Sequence, residues 1–186
     1  MEDNKKNLLL EAVYRDVNYE VEMLIKTTAL SLDNFILPKD IKLLALESWT
    51  IHFRNLKQFL YYKENHHPDD VVADDFLDQN HCNWISMRPE CPEILEKNFV
   101  KVNKMTAHLT YSRSKYISEN DYEWYFVMLL FELSKIYNKY VELFNQHNIF
   151  EVRVMANMMP ENVEELDDWV KIYSKNYSDI ESKETK

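Results

Sequence analysis

Residues 46–60 read LESWTIHFRNLKQFL. Leu46, Trp49, Phe53, Leu56 and Leu60 recur there at spacings of three and four. That spacing puts five large apolar side chains on one face of an α-helix, the width of face that a helix bundle buries. Pro38 upstream is a good first-turn residue, so the helix is expected to open there and to run to about Lys63. Arg54 borders the stripe and needs a partner if its guanidinium is partly buried, with Asp69, Asp70, Asp74 and Asp75 as the candidates.

Working outward, the same period appears upstream and downstream. Leu9, Val13, Val17, Val21 and Ile25 recur every fourth residue, so a helix is expected over about Asn4–Leu30, broken by Asp33, Asn34 and Pro38. A helix from about Pro92 to Tyr111 carries Leu95, Val102, Met105 and Leu109 as its core stripe. From about Asp121 to His147 a fourth helix holds eight consecutive apolar residues, Trp124–Phe131, and only a narrow polar stripe of Glu132, Lys135, Lys139 and Glu142. Such a helix belongs at the centre of a bundle. A shorter amphipathic helix follows Pro160, with Val163, Leu166, Trp169, Val170 and Tyr173, and residues 176–186 read as a frayed tail. The expected fold is all-α: four long helices, an acidic insert and a short C-terminal helix in a single domain over residues 1–175.

Composition agrees. Among 186 residues there is no glycine, while 46% are hydrophobic. Glycine supplies the positive-φ positions of tight hairpins and phosphate-cradling loops, so dinucleotide and P-loop fingerprints are excluded and no cofactor site is expected. A glycine-dependent serine nucleophile elbow is excluded likewise. The net charge of −10 opposes capture of nucleic acid or of an anionic membrane, except along the basic Lys97–Lys115 face. Nothing approaches a transmembrane length and MEDNKK is no signal peptide, so a cytoplasmic chain with two free thiols, Cys82 and Cys91, is expected.

The charges segregate. Glu64–Glu96 holds nine acidic residues and one arginine, whereas Lys97–Lys115 holds five basic residues and no acidic one. The insert at about 64–91, with a short helix near Asp70–Leu77, is expected to fold back over the basic helix, as a cap of the bundle or as a gate over an anion site. Lys97, Lys101, Lys104 and His108 fall on one helical face, and a half-buried His108 near lysines is biased neutral, which suits a general base. Asp69, Asp70 and Asp74, with His66, His67 and His81, are the candidate metal ligands, although they match no closed zinc or calcium template.

Three stretches carry a resemblance: HFRNLKQFLYY at 52–62, DDVVADDF at 69–76 and NKMTAHLTYSR at 103–113, with an isolated Trp84 between the last two. They resemble a group of uncharacterised bacterial helical proteins with DDVxAxDF and NKxxAHLTYxR motifs. The likeness spans Trp49 to Arg113. More distantly, NKMTAH is similar to the Arg-Asn-x-x-x-His element of HEPN domains, four-to-five-helix bundles that include ribonuclease toxins and their inactive relatives. The resemblance implies that His108 matches the catalytic histidine. Asn103 stands where the arginine belongs, and Lys104 stands at the polar position. That departure removes the guanidinium fork for a phosphate, which Arg54 or Arg113 would have to replace. The likeness also implies a homodimer. The leading expectation is a non-enzymatic HEPN-like module acting through binding or as a scaffold. The alternatives are a metal-independent ribonuclease using His108, Arg54, Lys104 and Arg113, and metal or small-molecule binding at the aspartate loop.

Overall fold

The computed structural model describes residues 8, 13–30, 38–62, 66–104, 124–149, 158–169 and 171. The described residues are mostly helical and form no strand beyond one isolated antiparallel bridge, Leu77–Asn148. A π-type turn over Val13–Val17 leads into α1 (Asn18–Leu30). α2 (Lys39–Leu60) is capped by Pro38, and the one-turn α3 (Trp84–Met87) sits late in the insert. α4 (Glu93–Val102) and the long α5 (Phe126–His147) follow, and residues 163–169 form α6. No described helix is long and apolar enough to cross a membrane. The expected continuation of α4 past Lys104, the start of α5 before Trp124, and residues 176–186 lie outside the described residues.

The α2 stripe is the centre of the core. Trp49, Phe53, Leu56 and Leu60 are buried, and from α5 so are Leu130 and Leu133. Trp49 stacks on Phe53 at 4.8 Å and meets the edge of Phe126 at 4.9 Å, distances at which aromatic pairs add to simple area burial. Its indole N–H donates to Thr28 Oγ1 at 2.9 Å, so one side chain joins α1, α2 and α5. Phe126 itself is half-buried rather than buried, because it lies in the first turn of α5 with Trp124 stacked beside it. Leu46, at the other end of the stripe, is half-buried too. α1 is fastened to α2 again at His52, whose Nδ1 lies 2.7 Å from Glu20 Oε2.

The insert does something other than cover a basic face. Val72, Ala73, Phe76, Leu77, Cys82 and Trp84 are buried in the common core, and the short helix expected near Asp70–Leu77 is a 3-10 turn over Ala73–Phe76. The last carbonyls of a helix have no partner within it. Here the insert supplies donors to two helix ends. Trp84 Nε1 and Arg88 donate to the Leu60 carbonyl at 2.7 and 3.1 Å, closing α2. The Asp78 backbone N–H donates to the His147 carbonyl at 2.7 Å, closing α5. The C-terminal segment is pinned by buried Asn138, which receives the Met159 N–H at 2.8 Å and donates to the Met159 carbonyl at 2.9 Å.

Candidate functional site

α2 and α4 face each other beyond the core, and residues 66–72 of the insert form a third wall. Between them runs a groove of about 930 Å³. α2 contributes Arg54, Lys57 and Gln58, α4 and the turn after it contribute Glu96, Phe99, Asn103 and Lys104, and the insert contributes His66, Asp70 and Val71. At one end Lys57 Nζ donates to Glu96 Oε2 at 2.7 Å and bridges the two helices. The Lys57 side chain is buried, and its ammonium stands over the Phe99 ring at 4.3 Å. A lysine whose stem packs in the core and whose head is both paired and placed on an aromatic face is held rigidly.

Arg54 is different. Its Nε is buried and has no hydrogen-bond partner, and no ion pair involves it among the described residues. The expected pairing with the aspartates of the insert is not formed, because those carboxylates close their own turns. Asp70 accepts from the His67 backbone N–H, and Asp75 from that of Val72. Asp74 accepts from the Trp84 N–H at 2.5 Å and from the Tyr62 hydroxyl, and Asp69 lies 3.7 Å from His67 Nδ1. An N–H left buried without an acceptor costs about 1–3 kcal/mol. The groove wall therefore holds a guanidinium with unspent hydrogen-bonding capacity.

The sequence-based candidates divide accordingly. Arg54, Lys104 and Asp70 line the groove with Asn103. Asp74 is absorbed into the insert's own network with Tyr62 and Trp84. Asp69 is exposed. Among the described residues no three His, Cys, Asp or Glu side chains gather as a metal-binding group, so Asp69, Asp70 and Asp74 are not brought together. His108 and Arg113 lie outside the described residues. The basic face of the Lys97–Lys115 segment is not uniform: Lys97 is exposed and pairs with Glu93, Lys101 is buried with its ammonium over Trp124 at 4.7 Å, and Lys104 belongs to the groove. The chain matches no family model, no curated protein and no solved structure.

Lys57 and Phe99 are groove residues that sequence reading missed. A signal existed for Lys57, which lies between Leu56 and Leu60 at the edge of the buried stripe. The groove also perturbs two phenols. Burial is the main cause that raises Tyr61, with Cys91 adding to it and Arg88 opposing it. Burial likewise raises Tyr62, followed by its hydrogen bond to Asp74. Both therefore stay neutral at ordinary pH and act as apolar rings with a polar tip. Chemically, the groove offers one unpartnered guanidinium, amide side chains from Gln58 and Asn103, and an aromatic floor. That is equipment for holding an anion.

Proposed function

We propose that this chain is a HEPN-like helical module that acts by binding, and that it takes an anionic ligand in the groove beside Arg54. In this reading α1, α2, the helix beginning at Glu93 and α5 are the four long helices of one bundle, and the insert is structural. The observation that carries the proposal is Arg54: its Nε is buried on the groove wall without an acceptor, while the insert carboxylates nearest in sequence are engaged elsewhere. A ligand oxyanion would supply the missing acceptor, and the overall charge of −10 makes that local positive site selective against large polyanions. The test is a thermal-shift series on the purified chain with anions and cations at matched ionic strength. Saturable stabilisation by anions, lost in Arg54→Gln, is the expected result. The absence of any anion-specific shift would remove the proposal.

One observation favours a second reading. Arg54, Asn103 and Lys104 line the same groove, so the start of the HEPN-like element and a replacement arginine share one surface. In this reading the chain is a metal-independent ribonuclease with His108 as base. Cleavage of RNA by the wild type in EDTA, abolished in His108→Ala with helical content unchanged, would establish it over the binding reading.

A further inference from the structure

The lining charges of the groove indicate what sort of anion it suits. Lys57 and Glu96 neutralise each other at 2.7 Å. Arg54 and Lys104 then stand against Asp70 on the insert wall. The lining therefore carries one net positive charge, and Arg54 presents a planar fork. A carboxylate matches both features, since it bears a single charge on two coplanar oxygens. A phosphate dianion would bring a second negative charge into a groove already bearing Asp70 and Glu96. The remaining surface is apolar. Val71 on the insert wall and Val100 on α4 are 43% and 46% exposed, with the Phe99 ring beside Val100. The volume of about 930 Å³ lies within the range of small-molecule sites, roughly 300–1,000 Å³.

We propose that the groove is a binding site for a small monocarboxylic acid with an apolar body, the carboxylate taken by Arg54 and the body lying against Val71, Phe99 and Val100. The proposal rests on the reading of the groove as an anion site and assigns its ligand class. The Arg54 Nε–H gains its acceptor, and exposed apolar surface on two facing walls is covered in the same event. A charge without a body leaves that surface wet, and a body without a charge leaves the guanidinium unpaired.

The experiment is an amide NMR titration of the full chain at constant ionic strength with hexanoate, acetate, inorganic phosphate and hexylamine. Hexanoate is expected to give saturable shifts at groove residues and to bind about tenfold or more tighter than acetate, from the buried methylenes. Phosphate is expected to bind more weakly than hexanoate, and hexylamine not at all. Arg54→Gln is expected to weaken hexanoate about tenfold or more, with Arg54→Lys also weakened because an ammonium lacks the fork. Phosphate binding that equals or exceeds hexanoate and depends on Arg54 would overturn the carboxylate assignment and leave the anion site standing. Saturable groove shifts from none of the anions would overturn both. Hexanoate binding unchanged in either Arg54 variant would overturn the assignment to Arg54, and the Lys variant and the wild-type ligand ranking decide the matter should Arg54→Gln fail to fold.

Discussion

The Trp84 indole N–H donates to the Leu60 carbonyl at 2.7 Å across a fully buried contact. This bond makes the acidic insert part of the core. Trp84 also packs edge-on against Tyr140 of α5 at 5.5 Å, so it connects the ends of the two long helices. The aspartates that give the insert its charge fix its turns, and its apolar residues fill the space between α2 and α5.

Trp84→Ala is accordingly expected to destabilise the fold by about 3–5 kcal/mol, as loss of a buried large aromatic does. Trp84→Phe keeps most of the packing and leaves Arg88 on the Leu60 carbonyl, so its cost should be about 1–2 kcal/mol. Asp69→Asn, at an exposed position, should stay within about 0.5 kcal/mol of wild type. Urea denaturation of the three variants checks the order. Equal stability of Trp84→Ala and wild type would mean that the insert is peripheral after all.

Much of the fold is legible in the sequence because burial follows a period. Trp49, Phe53, Leu56 and Leu60 are all buried, and spacing alone marked them. The insert resisted reading for the opposite reason. Its role depends on hydrogen bonds from Trp84 to Leu60 and from Asp78 to His147, which join residues far apart in the chain and leave no local pattern. The Asp-rich composition suggested a solvated lid, while the buried Val72, Ala73, Phe76 and Leu77 were interleaved with the aspartates. Arg54 and Lys104 were legible as candidates from their flanking positions, but the Lys57–Glu96 pair spans 39 residues and could only be seen in three dimensions.

Asn138 is a second long-range fastening. Its amide accepts from the Met159 N–H and donates to the Met159 carbonyl, as well as to Glu161 at 2.7 Å. Asn138→Ala strands a buried N–H and a buried carbonyl together, which should cost about 2–4 kcal/mol. Release of the segment around Met159 should also accelerate limited proteolysis there. A variant with wild-type stability and wild-type digestion would show that the pin is dispensable.

Four tyrosines should resist ionisation. Burial raises Tyr61, Tyr62, Tyr137 and Tyr140 above the ordinary phenol value, and in Tyr62 the Asp74 hydrogen bond adds to it. The fold holds these phenols neutral, whereas the unfolded chain ionises them near pH 10. Their contribution to stability is therefore intact below about pH 10 and is lost as the pH rises beyond it toward the raised folded values. Phenolate absorbance should show two classes among the 12 tyrosines, the late one titrating together with loss of helical circular dichroism. A single class near pH 10 with helix intact would contradict the burial of these rings.

The Lys57–Glu96 pair should respond asymmetrically to mutation. The Lys57 side chain is 8% exposed, whereas that of Glu96 is 55% exposed. Removing the carboxylate leaves an ammonium in a site walled by Phe99, with only the ring faces to stabilise it. Glu96→Gln should therefore destabilise by about 1–3 kcal/mol, below the value for a fully buried pair because water reaches Glu96. Lys57→Met removes the charge that needs a partner and keeps the unbranched stem on Phe99. The carboxylate it abandons is already wet, so this variant should lie within about 1 kcal/mol of wild type or exceed it. Denaturant midpoints of the two single variants and the double variant decide the question. Lys57→Met as damaging as Glu96→Gln would mean that the ion pair itself, and not the desolvated ammonium, carries the stability at that end of the groove.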